Sequence, residues 1–353
     1  MLLVFAMAAA IWGVGLLTGA PKRVRWTMIG LLYLAVLIAH LVLPDGNSLR
    51  MATGETAALW AILGGGVALV FGYRAVLLRL KAHADAQAEI PPEETPAGPF
   101  SETELNRYAR HIVLREMGGL GQKKLKDAKV LVIGAGGLGS PALLYLAAAG
   151  VGTIGVVDDD VVDNSNLQRQ VIHPDRMIGE PKVFSAAEAM TAQNPFVSVK
   201  PYHRRLSEDD AESLIGEYDL VLDGTDNFDT RYLVNRTCVK LGKPLISGAL
   251  SQWEGQLSVF DPANNAPCYQ CIFDSAPAPE LAPSCAEAGV VGPLPGVIGT
   301  MMAVEAIKLI TGAGSAMRGE MMIYDALWGE TRKIMLKRRP DCPTCGAHDA
   351  KSA

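Results

Sequence analysis

The residues best suited to chemistry begin with four glycines, Gly134, Gly136, Gly137 and Gly139, set directly behind the aliphatic run 130–133. Glycine there lets the chain turn tightly and bring backbone N–H groups against a phosphate. Asp158 follows at the tip of a second short apolar run, 153–157, where a carboxylate accepts hydrogen bonds from ribose hydroxyls. Taken alone the pattern leaves a dinucleotide, ATP and a glycine turn without ligand all open. The stretch after Asp158 shifts the balance. A dehydrogenase needs an apolar niche for nicotinamide there, and the chain instead supplies Asn166, Gln168, Arg169 and Lys182, polar and cationic groups suited to a triphosphate. Asp226, in the acidic cluster DGTDN after a further apolar run, adds a carboxylate that can hold Mg²⁺ facing phosphates or cap a helix. A NAD-dependent oxidoreductase remains as a distant alternative.

Six cysteines in 353 residues do not make a disulfide framework, and four of them form two C-x-x-C pairs, Cys268 with Cys271 and Cys342 with Cys345. Four thiolates match a closed tetrahedral Zn²⁺ site, which is structural; redox-active dithiols are the alternative. Residues 272–341 separate the pairs, so a shared metal would tie the C-terminal tail to the body. Cys238, inside a helical pattern, reads as core.

The elements that must position these groups alternate as strand, glycine turn, helix, strand. The expected series is strand 130–133, helix 141–149, strand 153–157, helix 183–193, strand 197–202, helix 208–215 and strand 219–222, an open α/β sheet whose strand ends line the ligand crevice. Ser101 and Glu104 have capping-box spacing at the head of a helix carrying Arg107, Tyr108, Arg110 and His111, with Arg107 expected on a solvated face. The apolar helix 294–310 is expected to pack on the sheet, with Met301 and Met302 as core fillers.

Before all this lie three apolar runs, 2–17, 26–43 and 57–73, predicting helices over about 2–19, 26–43 and 57–78, each near the 17–25 residues that cross a bilayer. They lack a polar face, which argues against core helices of a soluble domain. Lys22, Arg23 and Arg25 follow the first run and Arg74, Arg79 and Lys81 the third, while the middle loop carries only Arg50 against Asp45 and Glu55. The positive-inside tendency then places the N-terminus outside and everything after residue 74 in the cytoplasm. A cleaved presequence is disfavoured because no basic segment precedes the first run. His40 is the ionisable side chain furthest inside a run, and it is expected near the interface. The Pro-, Ala- and Glu-rich stretch 81–99 reads as a linker, leaving 1–80 as a membrane region and 100–353 as the catalytic domain. The net charge of −5 gives no reason to expect nucleic acid binding.

The motifs RYARH, GAGGLGSP, VDDDVVDNSNLQRQ, GEPKV, DGTDNFDTRY, WEGQLSVF, CYQC, PSCAEAGVVGPLPGVIGT and CPTC occur in one order over about residues 100–346. Together they resemble the ubiquitin-activating-like adenylyltransferases of the MoeB, ThiF and HesA type. The resemblance implies a Rossmann-like ATP-binding domain with a mostly parallel central sheet extended by antiparallel strands; the N-terminal spans depart from the family pattern. It further implies ATP- and Mg²⁺-dependent adenylation of the C-terminal glycine carboxylate of a small ubiquitin-like sulfur carrier ending in Gly-Gly. The glycines would line the nucleotide, Asp158 would bind its ribose, Asn166, Arg169 and Lys182 would contact phosphates, and Asp226 would hold the metal. Arg110 matches an arginine that reaches the ATP of a second subunit, which implies a two-fold dimer. Cys285 matches a cysteine that takes part in thioester or persulfide chemistry in some relatives and is dispensable in others. The likeness is strongest to the molybdopterin-synthase branch, with the thiamine-pathway carrier as the rival partner. No room is seen for a C-terminal sulfurtransferase domain, so a separate sulfur donor is expected, with the enzyme anchored in the inner (cytoplasmic) membrane.

Overall fold

The structure, a computed structural model, describes residues 1–54, 56–87, 98–277 and 288–346. The chain divides into two compact units, Met1–Thr95 and Pro96–Ala353.

The first unit is helical: α1 (Leu2–Leu17), α2 (Lys22–Val42), α3 (Ser48–Thr53) and α4 (Ala57–Gln87). Val4, Val36 and Trp60 form its small core, and the Tyr33 hydroxyl donates to the Trp60 carbonyl at 2.7 Å. Gly64 permits this approach, since a Cβ there would stand 2.0 Å from the Tyr33 oxygen. By length and composition α2 and residues 57–81 of α4 are long and apolar enough to cross a membrane, with mean hydropathy 1.7 and 1.8. At 16 residues, α1 spans only about 24 Å, short of a ~30 Å hydrocarbon core; it ends before the expected residue 19 because Gly19 has a positive φ of 71°. His40 is not at an open end. It is buried, with Nε2 3.0 Å from Thr53 Oγ1. α4 also runs on into the stretch expected as a linker, because KAHADAQ consists mainly of residues that tolerate a helix; the prolines begin only at Pro91.

In the second unit a capping box closes α5 (Glu102–Ile112), with the Glu104 N–H 3.3 Å from Ser101 Oγ and the Ser101 N–H 2.9 Å from Glu104 Oε2. Arg107 is exposed yet not idle: its guanidinium donates to the Gln193 carbonyl at 2.6 Å and lies over the Phe196 ring. The remaining elements are α6 (Gly118–Asp127), β1 (Lys129–Ile133), α7 (Gly139–Ala149), β2 (Thr153–Asp158), α8 (Lys182–Gln193), β3 (Ser198–His203), α9 (Glu208–Gly216), β4 (Leu220–Asp223), α10 (Phe228–Leu241), β5 (Leu245–Leu250), β6 (Glu254–Phe260), α11 (Tyr269–Ile272), α12 (Pro293–Thr311), β7 (Glu320–Asp325) and β8 (Glu330–Met335).

The eight strands among the described residues form one sheet in the order β3-β2-β1-β4-β5-β6-β7-β8. The first five are parallel, and β6, β7 and β8 add antiparallel neighbours. Alternation along β1 sends Val130 and Val132 into one core, shared with α7, α8 and α12, and Leu131 and Ile133 into the other, shared with α9 and α10. Cys238 and Met302 are buried in these cores. α12 is also apolar enough to be a candidate span, but half of its apolar stretch is buried. It packs across the sheet, and Gly299 brings it so near α7 that a Cβ would stand 2.2 Å from the Leu138 carbonyl oxygen.

Candidate functional site

The parallel strands end on the rim of a cavity of about 820 Å³. Strand order reverses beside β1, whose neighbours β2 and β4 lead outward on opposite sides, and crevices form at such reversals. Gly134, Gly136 and Gly137 line the cavity, together with Asp158, Asn166, Arg169, Lys182 and Asp226. Gly139 does not. It is buried behind the turn, where a Cβ would stand 1.9 Å from the Gly134 carbonyl oxygen, so its part is to let the first turn of α7 close onto the loop.

The glycine turn is held from beneath. Gly134 has a φ of 93°, a conformation that favours glycine. The Ala135 N–H donates to Asp158 Oδ2 at 2.7 Å, and the Asp160 N–H donates to Asp158 Oδ1 at 2.8 Å. Burial pushes the Asp158 carboxyl above its ordinary range, against the opposing pull of Lys182 and these two N–H groups. The carboxylate thus orients the loop while keeping lone pairs for a ligand.

Two further segments bring in charge. Asp163 caps the short turn Asn164–Asn166 by accepting from the Ser165 N–H at 2.8 Å; one helical turn later the Gln170 side chain donates to Asn166 Oδ1 at 2.7 Å. The Arg169 guanidinium is tied to the Ser165 carbonyl at 3.2 Å. Lys182 opens α8 and is 4% exposed, yet its ammonium reaches Asp160 Oδ2 at 2.7 Å. An ammonium so enclosed needs a counter-anion. Asp160 fills that role here, and a phosphate oxygen could share it.

Across the cavity, β4 ends at Asp223. This carboxylate is 0% exposed and fully engaged: it accepts from the Thr225 N–H at 3.0 Å and hydroxyl at 2.7 Å, and pairs with Arg231 at 3.3 Å. Arg231 also donates to Ser247 Oγ at 2.9 Å, to the Gly248 carbonyl at 2.7 Å and to the Thr225 carbonyl. Asn227, not Asp226, caps α10, accepting from the Thr230 N–H at 3.0 Å. Asp226 is left exposed on the rim and, among the described residues, forms no ion pair or hydrogen bond. A free carboxylate on the same cavity as Arg169 and Lys182 suits a hard cation with phosphate ligands.

Arg110 lies on the exposed face of α5 and does not line the cavity. Cys285 lies outside the described residues. Sequence reasoning passed over Arg231, Gln170 and His173. Arg231 had a signal: it stands three and seven residues before Val234 and Cys238, both buried, and a charge on a core stripe requires a buried partner.

The four cysteines of the two C-x-x-C pairs converge in a separate buried cluster. Cys268 Sγ lies 3.8 Å from that of Cys271 and 3.6 Å from that of Cys342, and Cys271 Sγ lies 3.4 Å from that of Cys345. A tetrahedron with Zn–S bonds of about 2.3 Å has edges of about 3.8 Å, so the spacing fits zinc. Burial and the neighbouring Cys271 push the Cys268 thiol far up; a cation at the centre is what ionises such a cluster.

The ThiF family profile matches residues 108–344. The chain is 48% identical over 251 residues to the sulfur carrier protein adenylyltransferase of Thermus thermophilus, covering 70% of this chain and 93% of that one. It is 47% identical over 257 residues to the mouse adenylyltransferase and sulfurtransferase MOCS3, covering 72% of this chain and 56% of the relative. Among solved structures, the fold is similar to Escherichia coli MccB with MccA-N7isoASN and to MccB with ATP, each at 25% identity, with TM-scores of 0.62 and 0.61 and coverage of 68% of this chain and 75% of theirs.

The ion pair at the tip of β4 sets the first test. Arg231→Met leaves Asp223 buried without its counter-ion and is expected to cost about 3–5 kcal/mol in denaturant unfolding. Arg231→Met combined with Asp223→Asn should recover part of that loss. A single variant as stable as the parent contradicts the assignment.

Proposed function

The chain belongs to the ThiF family and is an ATP-dependent adenylyltransferase, and from that premise we propose that it activates the C-terminal glycine carboxylate of a small ubiquitin-like sulfur carrier. The observation that carries this reading is that the glycine turn, Asp158, Asn166, Arg169, Lys182 and the unpaired Asp226 all line one cavity. The carrier we propose is of the molybdopterin-synthase small-subunit type; the thiamine-pathway carrier is the second reading, since both end in Gly-Gly.

The chemistry requires no general base, because a carboxylate is already ionised at neutral pH. One carboxylate oxygen bonds to the α-phosphorus of ATP, the bond to the oxygen bridging to the β-phosphorus breaks, and pyrophosphate leaves with that electron pair. An acyl adenylate remains and no proton moves. The task is therefore positioning and charge neutralisation. Asp158 takes the ribose hydroxyls, while Asn166, Arg169 and Lys182 hold phosphate oxygens. Asp226 holds Mg²⁺, which when bound offsets charge on the departing pyrophosphate. Arg110 reaches the ATP of a second copy of the chain; its support is its exposure outside its own cavity, with Val113 and Leu114 also exposed at 75% and 48%. The sulfur is supplied by a separate donor.

The Cys268, Cys271, Cys342 and Cys345 cluster holds Zn²⁺ in a structural role, joining the segment after β8 to α11 and its N-cap. The helices of the first unit anchor the enzyme in the inner membrane with the catalytic unit in the cytoplasm. What supports the anchor is apolar surface: in α2 and α4, Leu31, Leu41, Ile62, Leu69 and Val70 are all more than 60% exposed.

Asp226→Ala and Arg169→Ala should each lower carrier-dependent ATP–pyrophosphate exchange by roughly 100-fold or more with the far-ultraviolet circular dichroism unchanged; full exchange in Asp226→Ala removes its metal role. Exchange with the molybdopterin-type carrier and none with the thiamine-type carrier is expected, and the reverse selects the second reading. The full chain should pellet with membranes after alkaline carbonate washing, and its release into the supernatant rules out the anchor. Metal analysis of the reduced protein should find zinc, lost in Cys345→Ser together with a lower unfolding midpoint; a zinc-free, equally stable parent overturns the site.

A further inference from the structure

His173 is buried, 5% exposed, directly beneath the glycine turn. Its Nε2 stands 2.9 Å from the Ala135 carbonyl oxygen and its Nδ1 2.9 Å from Ser185 Oγ. A carbonyl only accepts, so Nε2 carries the proton, and Nδ1 is left to accept from the Ser185 hydroxyl. Ser185 thereby fixes the tautomer in which the ring donates to the loop. Burial and the nearby Lys182 hold the His173 pKa below its ordinary value, which keeps the ring neutral.

The consequence lies in the peptide that this carbonyl belongs to. In a trans peptide the C=O and the following N–H point in opposite directions, and no peptide bond among the described residues is cis. With the Ala135 carbonyl drawn down to His173, the Gly136 N–H is turned the other way. Gly136 lines the cavity, and its N–H has no hydrogen-bond acceptor among the described residues. The preceding peptide is fixed independently, since the Ala135 N–H donates to Asp158 Oδ2 at 2.7 Å. Ser140 Oγ adds only a long contact, 3.4 Å, to the same carbonyl.

We propose that His173 is a positioning residue for nucleotide binding: through the Ala135 carbonyl it aims the Gly136 N–H at a phosphate of the bound ATP. Its imidazole does not touch the nucleotide. Without it, the Ala135 carbonyl keeps only the long Ser140 contact, and the 135–136 peptide can tilt between its two held neighbours, the Ala135 N–H on Asp158 and the Gly136 carbonyl on the Ser140 N–H at 2.9 Å, so that the donor is misaimed for part of the time. This deepens the ATP reading of the cavity and rests on it.

The test uses the full chain in detergent, comparing His173→Phe, which keeps the ring but removes both hydrogen bonds, with His173→Gln, whose side-chain N–H₂ can still reach the carbonyl. In carrier-dependent ATP–pyrophosphate exchange, His173→Phe should raise KM for ATP roughly tenfold, the scale of one weakened hydrogen bond from the Gly136 N–H to a charged phosphate, with a smaller change in kcat and none in KM for the carrier. His173→Gln should restore most of the ATP affinity. An unchanged KM for ATP in a folded His173→Phe overturns the proposal, and so does an equal loss in both variants that tracks an equal fall in unfolding midpoint. If the parent itself shows neither ATP binding nor exchange, it is the ATP reading that fails, and this proposal with it.

Discussion

A Cβ on Gly139 would stand 1.9 Å from the Gly134 carbonyl oxygen, and one on Gly134 would stand 3.1 Å from that of Gly224. Three chain segments thus meet at the tip of β1 with no space for a side chain between them. The turn after β1, the start of α7 and the loop after β4 are brought within backbone contact of one another. What this corner of the cavity presents to a ligand is therefore largely main chain, and main-chain groups cannot be re-aimed by rotating a side chain. Neighbouring groups hold that backbone in place. Asp158 takes the Ala135 N–H, and the Ile133 carbonyl takes the Gly224 N–H at 2.9 Å.

The opposite wall is organised by charge. Burying a carboxylate and a guanidinium costs several kcal/mol per ion before any attraction is counted, so Asp223 and Arg231 are not an obvious source of stability. Their hydrogen bonds explain their presence. Arg231 reaches three acceptors besides Asp223, on the loop after β4 and on β5, and Asp223 takes two donors from Thr225. Every group is paired, which is the condition under which such a network holds a unique geometry. The loop it pins carries Asp226, whose own carboxylate is free. A rigid support beneath an unpaired carboxylate suits a cation-binding position, because a ligand held in place loses less conformational freedom when the cation binds.

Much of this was legible in the sequence because its signals are local. The aliphatic runs gave the positions of β1, β2 and β4 to within one residue at either end, since a buried parallel strand is a nearly unbroken apolar run. The spacing of Ser101 and Glu104 announced the capping box, which closes as expected. Among the cavity residues, Asp158 and Asp226 stood out as carboxylates at strand ends, and Asn166, Arg169 and Lys182 as polar or cationic groups where a nicotinamide site would need apolar ones. Gly139 was misjudged because glycine spacing says where the backbone is crowded without saying by what; here the crowding comes from the protein itself. His173 and Gln170 gave no signal, since a histidine or glutamine in a turn is ordinary until the tertiary fold puts a carbonyl or an amide beside it.

The apolar helices show where composition stops and geometry must take over. α12 and α2 have mean hydropathies of 1.4 and 1.7, a difference too small to assign them to different surroundings. Packing separates them. Half of the α12 apolar stretch is buried against 11% for α2 and none for α4, and α12 carries Glu305, buried with its carboxylate bonded to Lys308 at 2.6 Å and to the Met317 N–H at 2.8 Å. A carboxylate so satisfied belongs to a protein interior, where neighbouring elements supply the donors. α4 has no such residue between Ala57 and Tyr73, and its side chains there are aliphatic, aromatic or absent. Lipid supplies no hydrogen bonds and demands none from a helix whose backbone is already paired, so the uncharged 57–73 stretch of α4 is compatible with it.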